Sequence, residues 1–143
     1  MSQNSNNKTL RGYISSREIC GTFYPQSIQN LIIRNHAKEN SINLQLSGTE
    51  WNVRKSFVML RSLVKQKNDG IIFFSIFQIY DQKKKFEKIA NQIFKSKKIM
   101  IFSLENIILK NSNDLKTLFY KLKINQVINS KDFFEKLKKN YGK

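Results

Sequence analysis

Apolar and polar positions along this chain follow two alternating rhythms, one with the period of a strand and one with the period of a helix. Gly12 to Ser16 reads as a short apolar strand that closes on Ser15, Ser16 and Arg17. Pro25 suits the first turn of a helix, where its missing N–H loses no hydrogen bond. Ile28, Leu31 and Ile32 then recur at helical spacing as far as Asn40. The stretch INLQLS, 42–47, alternates with period two, as in a strand with one face less buried. Val53, Phe57, Leu60 and Val64 form the next helical stripe, closed by a turn at Asn68, Asp69 and Gly70. IIFFSIF, 71–77, is almost continuously apolar, which predicts a central strand covered on both faces. Phe86, Ile89, Ala90, Ile93 and Phe94 trace a third helix face, and IMIFSL, 99–104, a fourth strand. Leu115, Leu118, Phe119 and Leu122 mark a further helix, and SKDFFEKLKKNYG, 130–142, a last short one.

Strands and helices that alternate in this way predict an α/β fold with a parallel sheet between helices and right-handed crossovers. The expected architecture is a three-layer doubly wound domain around a four-stranded, mainly parallel sheet of order 2-1-3-4. Its most apolar strand, the third, lies beside the first. A loose tail is expected over 1–9, one α/β domain over 10–123, and a helical extension over 124–143.

Composition narrows the function classes. In a chain of 143 residues with 40% hydrophobic and 25% charged positions, the longest apolar run, Ile71 to Phe74, is far too short to span a bilayer. Residues 1–9 are polar and lack the apolar centre of a secretory signal. Cys20 is the single cysteine, which excludes an internal disulfide and fits a reducing, cytoplasmic setting. The formal charge of +16 suggests nucleic acid as a partner. However, 21 of the 26 basic residues are lysine and 16 residues are asparagine, a bias that accompanies AT-rich coding whatever the function. All five arginines fall in the first 61 residues, and a guanidinium forks onto carboxylates and phosphates as lysine cannot. With five glycines there is no glycine-rich phosphate loop, and His36, alone and mid-helix, predicts no metal site and no catalytic triad. No cofactor is expected.

Open parallel sheets bind ligands at the carboxyl ends of their strands, where the strand order reverses. That rule gathers Ser15, Ser16 and Arg17 from the first strand with Ser47, Thr49 and Glu50 from the second. It adds Ser75 and Gln78 from the third strand, and Ser103, Glu105 and Asn106 from the fourth. Hydroxyls, an amide, a guanidinium and two carboxylates suit a sugar or sugar phosphate held by hydrogen bonds. In this reading Ser16, Glu50 and Glu105 are the candidate catalytic residues, with the carboxyls moving protons. Lys83, Lys84 and Lys85 stand where the third helix should begin, which suits a bound anion or simply a solvated turn. Trp51 is expected in the core.

Two resemblances bear on this site. RGYISSR, PQSIQN and DGIIFFSIFQI stand in the order of the catalytic domain of serine resolvases, where a nucleophilic serine beside arginine ends the first strand. That likeness implies attack on DNA by Ser15 or Ser16, but FQIYDQKKK lacks the arginines of the resolvase motif. The second resemblance rests on RGYISSR at 11–17, PQSIQNLIIRN at 25–35 and LSGTE at 46–50, with ML at 59–60, DGIIFFSIFQI at 69–79 and SLEN at 103–106. In these blocks the chain resembles the bacterial sporadic carbohydrate cluster proteins. The resemblance implies a cytoplasmic protein of surface-polysaccharide or modified-sugar biosynthesis and supplies no reaction. By position it points to Arg11, Tyr13, Ser16, Arg17, Gln26, Gln29, Asn30 and Arg34, then to Ser47, Glu50, Ser75, Gln78 and Glu105. The expected substrate-binding set is therefore Arg11, Tyr13, Arg17, Gln29, Asn30, Arg34, Ser47, Ser75 and Gln78. Three functions stay open: a protein that binds or converts a sugar or nucleotide-sugar, a resolvase-like nucleic-acid module, and a non-catalytic scaffold for a glycan-pathway enzyme. A homodimer is compatible with each.

Overall fold

The most apolar stretch of the chain occupies the middle of the sheet. A computed structural model describes residues 7–51 and 57–125. In it β1 (Thr9–Ser15), β2 (Asn43–Glu50), β3 (Gly70–Phe73), β4 (Ile99–Phe102) and β5 (Ile107–Leu109) form one sheet of order β2-β1-β3-β4-β5. The first four strands pair in parallel, and β5 runs antiparallel to β4. The expected order 2-1-3-4 is present, but the sheet has five strands instead of four. β5 is three residues long and follows the turn at 103–106, so it is too short to display a period of its own.

Alternation along each strand sends side chains to opposite faces. On one face Leu10 and Ile14 of β1 cluster with Ile72, Phe74, Ile101 and Ile33, the last from α1 (Gln26–Glu39). On the other face Tyr13 meets Phe73 at 5.3 Å between ring centroids, Phe73 stacks on Phe102 at 4.8 Å, and Phe86 lies 6.0 Å from Phe73. Phe86 belongs to α3 (Lys83–Lys95), and Phe57, 6.3 Å from it, immediately precedes α2 (Val58–Lys65). Helix α1 thus covers one face while α2 and α3 cover the other, which makes the domain doubly wound and three-layered. Each buried aromatic or branched side chain contributes roughly 1.5–3 kcal/mol of transfer free energy. Among the described residues no helix is long and apolar enough to cross a membrane.

Three local departures matter for the site. First, α1 is turned relative to its apolar stripe: Ile28 and Leu31 are 43% and 47% exposed, while Gln29, Ile33, His36 and Ala37 are buried. The reason is Gln29, whose amide is fully used inside, as described below. Second, the strand expected over 71–77 stops at Phe73, because Ser75 caps a 3-10 turn over Ile76–Gln78. Ser75 Oγ accepts from the Phe77 N–H at 3.2 Å, and Gln78 Oε1 accepts from the Ser75 N–H at 3.0 Å, a reciprocal cap. Third, β2 carries a bulge, since Arg11 pairs with Gln45 but Tyr13 pairs with Gly48. Two residues of β1 therefore span three of β2, and Leu46, expected to continue the buried alternation, is 85% exposed.

Two smaller fixings hold the frame. A Cβ on Gly70 would overlap the Ile99 carbonyl, so β3 and β4 can approach this closely only with glycine there. Lys98 Nζ donates to the Val64 and Gln66 carbonyls at 2.8 and 2.7 Å and so closes the C-terminal end of α2. The chain divides into two compact units, 1–110 and 111–143. The second contains a helix, 112–125, in which Asn111 Oδ1 accepts from the Asp114 N–H at 2.9 Å. Val53, most of the tail expected over 1–9, and the last expected helix lie outside the described residues.

Candidate functional site

The segment after β1 is the first rim of the strand-end region, and two glutamines hold it. Gln29 Oε1 accepts from the Ser15 N–H at 2.9 Å, and its Nε2 donates to the Ser15 and Tyr24 carbonyls at 2.7 and 2.9 Å. The amide takes the place of a neighbouring strand for the last residue of β1. Gln78 Nε2 donates to Ser15 Oγ at 2.9 Å and to the Tyr13 carbonyl at 3.4 Å, which ties the turn after β3 to β1. Ser16 follows, with both its N–H and its hydroxyl donating to the Glu50 carbonyl at 3.0 Å. Ser15, Gln29, Ser75 and Gln78 are all buried. Gln29, Ser75 and Gln78, all expected to bind substrate, thus have their polar groups engaged by the protein itself.

The bulge in β2 decides what stands beside them. Residues paired across a ladder point to the same face. Ser15 pairs with Glu50, so the extra residue aims Glu50 toward the face that carries Tyr13. Without it Glu50 would face α1. Arg11 fastens the bulge, its Nε donating to the Leu46 carbonyl and its Nη1 to Gln66 Oε1, both at 2.6 Å. It therefore sits away from the strand ends and acts on them through β2.

Glu50 is 2% exposed, and its Oε2 accepts from the Met59 N–H at 2.7 Å. It caps α2 from outside, since Phe57 provides no side-chain cap. Burial pushes its carboxyl up from the usual range, while the α2 amides and the Arg17 guanidinium pull it back down. Arg17, half-buried, lies 5.6 Å from the centroid of the Phe57 ring and donates to the Gln78 carbonyl at 3.0 Å. The Tyr13 phenol is raised by burial and by the nearby Glu50 carboxylate, with Arg17 opposing. Tyr13 Oη and Glu50 Oε1 are both buried without a hydrogen-bond partner among the described residues. Such atoms are uncommon in folded proteins, and a water or a ligand usually supplies the missing bond.

Glu105 forms a separate cluster. Its Oε1 accepts from Ser75 Oγ at 3.1 Å and from the Ile76 N–H, and its Oε2 is buried without a partner among the described residues, as is Ser103 Oγ. Burial raises this carboxyl too, against the two hydrogen bonds. β2 and β4 are three ladder spacings apart, about 14 Å at ~4.8 Å each, so the two carboxyls expected to share acid–base work stand in different places.

Three more expected binding residues, Asn30, Arg34 and Ser47, gather on the opposite face. Gln26, Asn30 and Arg34 recur every fourth residue along α1 and line a cavity of about 320 Å³ against β2, where Ser47 and Thr49 face them and Gln45 stands at the border. Ser47 Oγ donates to Asn30 Oδ1 at 2.7 Å. Ser47 sits over Gly12, where a Cβ would overlap its hydroxyl, so the glycine of RGYISSR makes room for this contact.

Comparison with protein families, with curated proteins and with solved structures finds no match. What the site can do is therefore read from its geometry. The strand ends offer one half-buried guanidinium, a buried carboxyl and a buried phenol, and the α1–β2 groove offers amides, hydroxyls and a second guanidinium. Lys83 stands in the first turn of α3 as expected, with its Nζ 4.2 Å from the centroid of the Tyr80 ring. Trp51, expected in the core, is 65% exposed next to Glu50, and His36 is buried with its Nε2 unpartnered among the described residues. Gln45 was not singled out by sequence. The spacing of four between Gln26, Asn30 and Arg34 was the signal that could have drawn attention to the groove.

Proposed function

We propose that this chain is a cytoplasmic protein of bacterial surface-carbohydrate biosynthesis that binds or converts a sugar or nucleotide-sugar at the ends of β1, β2 and β3. The pathway rests on the spaced blocks in which the chain resembles the sporadic carbohydrate cluster proteins. The site rests on one observation: Tyr13, Arg17 and Glu50 converge beside the point where strand order reverses, with Tyr13 Oη and Glu50 Oε1 buried and unpartnered among the described residues. Arg17 receives the anionic group, the half-exposed Ser16 contributes a hydroxyl, and the Glu50 carboxyl is the group able to take or give a proton. Exposed Trp51, directly after Glu50, adds a flat apolar surface at the rim.

Thermal unfolding of the protein in the presence of UDP-glucose, GDP-mannose and glucose 1-phosphate tests the reading. A ligand at one hundred times its dissociation constant stabilises by about 2.7 kcal/mol. The expected result is an upward shift in Tm with at least one of them, lost in Arg17→Ala. Trp51 is the only tryptophan of the chain, so its emission should change with the ligand that binds. No shift with any of the three at millimolar concentration would end the proposal.

A further inference from the structure

The groove between α1 and β2 lies on the other face of the sheet from Tyr13 and Glu50, and the function proposed above makes no use of it. We infer that it is a second, independent binding site for a monosaccharide unit that carries one anionic group. Its walls are built by the chain's geometry. The β2 bulge turns Ser47 and Thr49 toward α1, and Gly12 leaves the space that Ser47 enters. On the helix side, Gln26 to Arg34 spans eight residues, about 12 Å at 1.5 Å per residue, which suits one ring with a charged substituent. The volume of about 320 Å³ stands at the small end of sites for small molecules, roughly 300–1,000 Å³.

The lining chemistry selects the ligand. The side chains of Gln26, Arg34 and Thr49 have no hydrogen-bond or ion-pair partner among the described residues. Asn30 has accepted one bond from Ser47 and keeps both amide hydrogens. The groove thus presents donors and acceptors in mixture, as a polyol requires, over an apolar floor that includes Ile14 and Leu44. Among the described residues it holds one cation and no carboxylate, so a single negative group on the ligand is complemented and a second cation is not. Among the described residues no aromatic ring lines it, which sets it apart from a site for a nucleobase.

The test is a titration of the isotopically labelled full-length protein followed by amide chemical shifts, with glucuronate and glucose 6-phosphate as probes and glucose and inorganic phosphate as controls. Saturable shifts at Asn30, Ser47 and Thr49 are expected with at least one anionic sugar, at an affinity at least tenfold above either control. Binding of glucuronate alone assigns the anion as a carboxylate, and binding of glucose 6-phosphate alone assigns it as a phosphate. Arg34→Ala should weaken the interaction at least tenfold without altering the fold. Arg17→Ala, which removes the cation of the strand-end site, should leave the groove shifts in place. The inference is overturned if neither anionic sugar gives saturable shifts, if phosphate alone binds as tightly, or if Arg34→Ala changes nothing. Because the probes report on different faces, failure of the groove and failure of the strand-end site are read separately.

Discussion

The strand-end cluster and the α1–β2 groove draw on the same two elements and on nearly the same residue types, yet they are in opposite chemical states. Gln29 and Gln26 are three residues apart on α1. The first is buried with both ends of its amide bonded to backbone, and the second lines an open cavity with its amide unpartnered among the described residues. Ser15 and Ser47 differ in burial instead, since both hydroxyls are bonded, one to Gln78 in the interior and the other to Asn30 at a groove wall. A polar residue at a strand end is therefore no guide to ligand contact until its own bonds are counted. Inside the cluster Arg17, Tyr13 Oη and Glu50 Oε1 retain capacity among the described residues, and Ser16 Oγ can still accept.

That contrast can be broken by mutation, most severely at Gln29. Gln29→Leu leaves the Ser15 N–H and carbonyl buried without partners and frees the part-buried Tyr24 carbonyl. Urea unfolding should show a loss of roughly 3–5 kcal/mol, against about 0.5 kcal/mol or less for Gln26→Ala. A smaller effect, about 1–2 kcal/mol, is expected of Arg11→Ala, which releases the Leu46 carbonyl and Gln66. Its sharper consequence is that ligand binding should weaken on both faces at once, because the bulge orients both Glu50 and Ser47.

The pH dependence of Glu50 separates the regions further. Burial raises its carboxyl, so the folded chain keeps this proton at pH values where the unfolded chain has lost it. The stability so conferred is fully present below the ordinary carboxylate pKa and is lost as pH rises through the raised value. Glu50→Gln keeps an acceptor for the Met59 N–H without the charge. Its stability relative to the parent should therefore grow from pH 4 toward neutrality, as read by denaturant midpoints. Least visible of all is Arg34→Ala, expected within about 0.5 kcal/mol of the parent at every pH, with its effect confined to groove binding.

Much of the frame was legible in the residue pattern. The continuous run at Ile71 to Phe74 announced a strand covered on both faces, and the order around it followed from the crossovers. What stayed hidden depended on contacts distant in sequence. The face of α1 could not be read from Ile28 and Leu31, because Gln29 turns inward only once β1 and Tyr24 offer it three partners. The bulge leaves no mark in INLQLS, since an extra residue is visible only against the strand it pairs with. Period-two counting through that point sends Leu46 inward when it is exposed. Glu50 and Glu105 looked equivalent as carboxyls after strands, and only the sheet order sets them three strands apart.

The irregularity at Leu46 has one more effect, on how copies of the chain meet. β2 is the terminal strand of the sheet, the margin along which another molecule would otherwise dock backbone to backbone. A regular ladder of amides and carbonyls invites such growth, and a break in its spacing discourages it. The residue that aims the chemistry inward also guards this margin against uncontrolled polymerisation, so that straightening β2 by deleting Leu46 should yield a protein prone to fibrous association.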